Sequence, residues 1–201
     1  MDLREYLVRG AALICTNGSH KRKVNLPKCH GIYAGVHPLL HGLECLTESM
    51  CGREKCNITH FGVCCPVEGS PPPTETITYT KTKENSKDGT KGKVTGCKCE
   101  PIIIGTWQNP YFYTRIVDNG DKNPEDRQHT AVIYKDGPVG QSTLTMNSFL
   151  VCKYGGIISP VDSGQYNGIS ENDFYSTEDY LKVIQTQSRN GAPINYKGVS
   201  Q

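Results

Sequence analysis

Two cysteines near opposite ends of the chain stand in matching local sequences, and this repetition constrains the fold more than any other feature. Cys15 and Cys152 each follow two aliphatic residues, and each precedes a glycine three positions on, Gly18 and Gly155. Apolar residues that run into a polar turn with glycine are typical of a strand entering a tight turn. We therefore expect distant parts of the chain to meet at sulfur, through either a bound metal or disulfides.

The composition offers little material for an ordinary hydrophobic core. Hydrophobic residues make up 36% of the 201 residues, with 21 glycines, 12 prolines and only 4 phenylalanines. Chains that bury little apolar surface are usually stabilised by disulfides, metals or a partner. The formal net charge is only +2, so charge gives no support for a general nucleic-acid-binding role.

The first fifteen residues lack the features of a secretory signal peptide, because they carry Asp2, Arg4, Glu5 and Arg9. No stretch approaches the roughly 20 apolar residues of a membrane helix, so no stable membrane anchor is expected. We therefore expect synthesis in the cytosol, where reduced thiols favour metal binding over structural disulfides. A disulfide-stapled protein that leaves the cell by another route stays open as an alternative.

The sequence pattern predicts a mainly β body of short hairpins over residues 1–165 and an extension over residues 166–201 with one short helix. The extension contains the helix candidate, about Ser176 to Arg189, with Ser176 as its N-cap. The candidate strands have apolar or alternating sequences: Tyr6–Cys15, Gly31–Val36, Ala131–Tyr134, Leu144–Cys152 and Ile157–Val161.

Residues 68–95 differ in composition from the rest of the body. They contain three consecutive prolines, many threonines and charged residues, and few large apolar side chains. Such a segment buries little, which indicates a flexible polar insertion or a long two-stranded excursion. The alternating sequence of Thr76–Thr80 fits one strand of such a two-stranded excursion.

One local group of residues has ligand types that zinc prefers. Cys51, Cys56, His60 and Cys64 follow the spacing C-x4-C-x3-H-x3-C, and tetrahedral nitrogen and sulfur sets are typical of zinc. These residues would make a small zinc-knuckle-like binding module. The alternative is that some of them are buried cysteines, because free cysteine packs like a small hydrophobic residue.

Catalytic motifs are absent from the sequence. It contains no G-x-S-x-G, H-E-x-x-H or phosphate-binding loop, and no paired carboxylates in an apolar context. We therefore expect a non-enzymatic protein. A metal-dependent or cysteine hydrolase remains an alternative, because a chain with ten cysteines and six histidines can bring such pairs together.

Several short motifs, taken in order over about residues 6–165, resemble the PAAR-like domains associated with contractile injection systems. The motif Pro-Ala-Ala-Arg itself is absent, and residues 68–95 have no clear counterpart in the family. The matching elements are Tyr6-Leu7-Val8-Arg9-Gly10-Ala11 with Cys15, Asn25-Leu26-Pro27, His30-Gly31-Ile32-Tyr33, Asn57-Ile58 with Phe61-Gly62 and Cys64, Cys99 with Pro101 and Trp107, and Leu150 with Cys152 and Tyr154-Gly155-Gly156.

The resemblance implies a cone of β-hairpins that caps a trimeric β-helical spike, in a type VI secretion system or a phage-tail-like particle. Such a tip sharpens the spike for piercing an envelope and can link effector cargo or an adaptor. It would assemble in the bacterial cytoplasm and leave as part of the injection particle. The family's tips carry one metal ion, usually zinc. The matching motifs favour these ligands: Cys15, His30, Cys64, Cys99 and Cys152.

Overall fold

Alternating burial defines the first strand, β1 (Ala12–Cys15), in which Leu13 and Cys15 are buried and their neighbours lie on the other face. The computed structural model describes residues 5–27, 32–34, 37–64, 76–117, 130–133 and 140–166. Its regular elements are short antiparallel strands, as the sequence predicts. The predicted helix at 176–189 lies outside the described residues.

The central sheet joins the two ends of the described chain. Its strand order is β10-β11-β1-β2, with β1 in the middle. Cys15 on β1 lies opposite Ile158 on β11, and Leu150 on β10 also lies opposite Ile158. The other strands of this sheet are β2 (Arg22–Lys23), β10 (Leu150–Val151) and β11 (Ile157–Asp162).

The predicted strand Tyr6–Cys15 is shorter in the structure because Gly10 interrupts it. Gly10 has a φ of 87°, a conformation that turns the chain and suits glycine. Before this turn, Tyr6 and Val8 make isolated bridges to Thr145 and Leu39. The segment therefore contacts two further parts of the chain before it enters the central sheet.

The described chain also forms sheets smaller than the central one. One three-stranded sheet has the order β8-β7-β9, and one two-stranded sheet pairs β3 with β4. The single short helix of the described residues, α1 (Glu48–Cys51), ends at Gly52. The strands are β3 (Tyr33–Ala34), β4 (His37–Pro38), β7 (Tyr111–Val117), β8 (Thr130–Ile133) and β9 (Gln141–Thr143).

Residues 76–97, which include most of the polar segment, form a two-stranded antiparallel hairpin. β5 (Thr76–Lys81) and β6 (Gly92–Cys97) pair from Thr76 opposite Cys97 to Lys81 opposite Gly92. The turn of this hairpin packs against the body, where the Lys21 amide donates to the Asn85 carbonyl at 2.7 Å and Ser86 is fully buried. The hairpin end is thus held by the turn between β1 and β2.

The main hydrophobic core lies beneath the central sheet and includes Phe61 and Trp107, the two large aromatic residues that are buried among the described residues. Phe61 is fully buried, and the Trp107 indole Nε1 donates to the Glu44 carbonyl at 2.9 Å. Cysteines form part of the same core: Cys15, Cys64 and Cys99. Within the described ranges, no helix is both long and apolar enough to cross a membrane.

Candidate functional site

Four cysteines from four separate segments converge at one side of the core. Cys15 ends β1, and Cys152 follows β10, where its amide donates to the Gly156 carbonyl at 2.8 Å. The segments of Cys64 and Cys99 pair with each other, because the Cys99 amide donates to the Gly62 carbonyl at 2.8 Å and the Cys64 amide to the Cys97 carbonyl at 2.7 Å. We call Cys15, Cys64, Cys99 and Cys152 the thiol cluster.

Within the thiol cluster, Cys99 links Cys15 and Cys64, and these three residues belong to the main hydrophobic core. The Cys99 thiol hydrogen-bonds with those of Cys15 and Cys64, and Cys152 interacts electrostatically with Cys15 and Cys64. Each residue of the cluster is at most 8% exposed. Water therefore has little access to these sulfurs. All eight described cysteines are free thiols; Cys29 and Cys65 lie outside the described residues.

Two glycines, Gly18 and Gly156, lie beside Cys15 where a side chain would have little or no room. A Cβ on Gly156 would lie 2.8 Å from Cys15 Sγ, and a Cβ on Gly18 would lie 3.2 Å from Cys15 Cβ. Gly18 belongs to the repeated pattern at Cys15, and Gly156 adjoins the one at Cys152. Gly156 therefore passes close to Cys15 Sγ, whereas Gly18 lies mainly against Phe61, whose Cβ would be 2.5 Å from an added Cβ.

If zinc binds the thiol cluster, we expect Gly156→Ala to weaken that binding at least about tenfold while preserving the fold. The added methyl group would displace Cys15 Sγ, and small displacements of a ligand reduce the affinity of a metal site. Zinc titration against a competing chromophoric chelator measures this change. Gly42→Ala is the control, because its Cβ would meet only the Ser142 carbonyl oxygen, at 3.8 Å. Equal affinity in both variants would contradict the expectation.

The electrostatics of the thiol cluster divide its members into proton donors and acceptors. A hydrogen bond from Cys99 lowers the pKa of Cys15 to about 7, helped by the backbone N–H groups of Asn17 and Gly18. The same donor lowers the pKa of Cys64, whereas hydrogen bonding to both partners raises that of Cys99. Burial raises the pKa of Cys152. Cys15 is thus the thiol closest to the thiolate form that metals require.

The thiol cluster provides the ligand chemistry of zinc but not a finished coordination geometry. No group of three or more His, Cys, Asp or Glu side chains in the described part of the chain is arranged as a metal site. The thiol–thiol hydrogen bonds nevertheless bring Cys99 next to Cys15 and Cys64. Sulfurs around zinc lie about 3.8 Å apart, given bonds of ~2.3 Å in a tetrahedron. Binding would therefore require the side chains to turn toward a common centre, and four cysteine sulfurs are a donor set that suits zinc.

The members of the C-x4-C-x3-H-x3-C group make different contacts in the structure, although Cys51 is close enough to Cys56 to help raise its pKa. Cys64 belongs to the thiol cluster, whereas the Cys56 thiol donates to the Arg53 carbonyl at 3.3 Å and the Cys51 thiol to the Thr47 carbonyl at 3.5 Å. Burial raises the pKa of Cys56 to about 11, which disfavours its thiolate. His30, the fifth residue of the family-based set, lies outside the described residues.

His60 is part of a polar cluster that the sequence did not indicate. Its ring stacks on Tyr79 at 4.9 Å, and its Nε2 lies 3.2 Å from the Tyr79 hydroxyl. Its Nδ1 accepts a hydrogen bond from the Gly62 amide at 3.2 Å, and Arg22 Nε donates to the His60 carbonyl at 2.8 Å. Both ring nitrogens of His60 therefore have partners within the protein. The alternation of β5, which places Tyr79 on its inner face, is the sequence signal for this contact.

We expect the protein to lose stability as the pH falls from about 6.5 to about 4, in part through His60. Burial, reinforced by Arg22, lowers the pKa of His60 from its usual 6.5 to about 4. The unfolded chain therefore binds a proton first on acidification, which favours unfolding below pH 6.5 and has no effect above it. Because His60 is partly exposed, we expect its protonation to lower the free energy of unfolding by only about 1–2 kcal/mol.

Urea unfolding of wild type and His60→Gln at pH 7.5 and pH 4.5 measures this contribution. The loss of stability on acidification should be smaller in the variant. The difference between the two proteins is the relevant quantity, because bound zinc would also be released at low pH. An equal loss in both proteins would show that His60 does not titrate in this range.

A scan of protein-family models finds no match to this chain, and searches of curated proteins and of solved structures find no match either.

Proposed function

We propose that this protein is a non-enzymatic tip that caps the trimeric β-helical spike of a contractile injection system, either a type VI secretion system or a phage-tail-like particle. The observation that carries the proposal is the convergence of Cys15, Cys64, Cys99 and Cys152. These are the four sulfurs that the ordered PAAR-like motifs single out, and they come from four distant segments. The protein would assemble in the bacterial cytoplasm and leave with the particle.

In this proposal the thiol cluster holds one zinc ion. Zinc would supply a crosslink between β1, the Cys64 and Cys99 segments, and the turn after β10. The residues of the chain prepare this site: Cys99 hydrogen-bonds with two neighbouring sulfurs, and the N–H groups of Asn17 and Gly18 stabilise the Cys15 thiolate. His30 remains a further candidate ligand.

The burial of the thiol cluster supports a structural role. Four protein ligands would leave zinc no open position for a reactive water, in contrast to catalytic zinc sites with three. The sheets of the protein are small, with two to four strands each in the described chain. Small sheets have limited stability alone, so a crosslink at their junction would give the rigidity that a piercing tip requires.

The test is the stoichiometry of a complex with a spike protein encoded beside this chain. One tip on one spike trimer is expected, so native mass spectrometry of the co-expressed proteins should give a ratio of one to three. A spike shortened by its terminal strands is the control and should not bind. A failure of the full-length spike to bind, or binding of three tips per trimer, would contradict the proposal.

A further inference from the structure

The outer face of the central sheet carries an unusual concentration of aliphatic side chains. Residues 102–104 extend this sheet beside β10, because the Ile104 amide donates to the Val151 carbonyl at 2.8 Å and the Lys153 amide to the Ile102 carbonyl at 2.8 Å. Ile103 packs against the core. Since neighbouring residues of a strand point to opposite faces, Ile102 and Ile104 lie on the outer face.

The strand register places further aliphatic residues on the same side. Val151 lies opposite Ile157, and Ile14 lies opposite Ser159. Val161 lines a groove together with Ile14, which places it on this side as well. We call the six residues of this surface the aliphatic face: Ile14, Ile102, Ile104, Val151, Ile157 and Val161.

The aliphatic face is exposed to an extent that is unusual for such residues. Ile104 is 55% exposed, Ile102 44%, and Ile157 and Val161 each 37%. An antiparallel sheet normally has polar residues on its solvent side. Contiguous exposed apolar residues with a polar margin mark interaction surfaces.

The margin of the aliphatic face is positively charged. A groove of about 670 Å³ lies between the face and the turn of the β5–β6 hairpin, with Ile14 and Val161 among its lining residues. It contains two carboxylates, Glu84 and Asp162, and four cationic side chains: Lys21, Arg22, Lys23 and Lys87. A partner with complementary charge would therefore present an acidic margin beside an aliphatic centre.

In the described part of the chain, residues 102–104 are the outermost strand segment of this sheet on the β10 side. Among the described residues, their only strand partner is the segment of Cys152. An edge that bears exposed isoleucines can pair with a strand of another chain and bury the side chains of the same surface. A partner that fits this surface would be a β-structured protein. It would offer a strand for pairing, aliphatic side chains for the centre of the surface and carboxylates for its basic margin.

We infer that the aliphatic face and the adjoining groove form the surface with which this chain binds the blunt end of the spike, whose contacting subunit presents aliphatic and acidic side chains. This inference rests on the proposed function and specifies the surface that it uses. Docking would cover the exposed isoleucines, and the lysines of the groove would face carboxylates of the spike.

Binding of purified spike to full-length variants tests the inference. We expect Ile157→Glu and Val161→Glu each to raise Kd about tenfold or more, because each would place a charge at a contact that excludes water. Met50→Glu is the matched control, since Met50 on α1 is 65% exposed and lies outside the aliphatic face. The Kd of Met50→Glu for the spike should stay within about twofold of the wild-type value. Thermal unfolding of each variant verifies the fold.

Charge reversal tests the complementarity separately. Lys21→Glu should weaken binding and reduce its dependence on salt, whereas the control Lys55→Glu should change neither. If the spike binds wild type and both face variants equally, the inference is wrong and the proposed function stands. The inference is also wrong if Met50→Glu weakens binding as much as Ile157→Glu and Val161→Glu do. If wild type does not bind the spike, the proposed function fails and the inference with it.

Discussion

Cys99→Ser is expected to abolish the proposed zinc binding and the stabilisation that zinc would confer. Cys99 is the central member of the thiol cluster, because its thiol hydrogen-bonds with both Cys15 and Cys64. A ligand at a thousand times its Kd stabilises a folded protein by about 4 kcal/mol. Zinc should therefore raise the unfolding free energy of wild type by about this amount and leave that of the variant unchanged.

Metal content by elemental mass spectrometry and urea unfolding with and without zinc measure this effect. Cys51→Ser is the control, because Cys51 belongs to the C-x4-C-x3-H-x3-C group but its thiol donates to the Thr47 carbonyl. It should retain one zinc ion per chain. Loss of zinc in Cys51→Ser with retention in Cys99→Ser would instead favour the zinc-knuckle-like module. Wild type without zinc would contradict the metal proposal itself.

Gly62→Ala is expected to destabilise the protein by about 3–5 kcal/mol, among the largest effects of a single substitution. Gly62 has a φ of 76°, where a side chain strains the backbone. An added Cβ would overlap the ring of His20 and lie 2.5 Å from Ser19 Oγ. Ser19 Oγ accepts a hydrogen bond from the Val63 amide and lies 2.7 Å from His20 Nδ1, so neither group can move without losing a contact.

Gly89→Ala separates the two causes of this effect. Gly89 has a nearly equal φ of 73°, but a Cβ there would meet nothing within 4 Å. Gly89→Ala should therefore lower the free energy of unfolding only through backbone strain, by about 1 kcal/mol. Chemical denaturation of both variants measures the difference. If they lose the same stability, the space around Gly62 is less restricted than the contacts with His20 and Ser19 indicate.

Much of the fold class follows from local sequence patterns. The aliphatic residues before Cys15 and Cys152 predict strands that lead into turns, and in the structure these cysteines lie at the ends of β1 and β10. The alternation of Thr76–Thr80 predicts one arm of a hairpin, which is β5. The boundaries are harder to predict, since the strand expected from Tyr6 begins only at Ala12, after the turn at Gly10.

The contacts of polar residues depend on tertiary structure that local patterns do not contain. Ser86 lies in a segment that looks fully solvated by composition, yet it is completely buried because the turn of its hairpin packs on the body. The spacing of His60 is suited to a metal ligand, but the fold places it against Tyr79. Cys99 and Cys152 are connected as candidate ligands only through the resemblance to PAAR-like motifs, because spacing alone gives no reason to connect them.

The pairing of β1 with β11 has a consequence for the order of events during translation. β1 pairs with β11, and the side-chain Nδ2 of Asn17 donates to the Tyr154 carbonyl, 137 positions away in the sequence. Contacts of such long range form late, because the entropy of closing a large loop opposes them. The ribosome must therefore deliver the chain at least as far as Cys152 before Cys15 can meet it, and until then the nascent thiols are accessible to oxidants and chaperones.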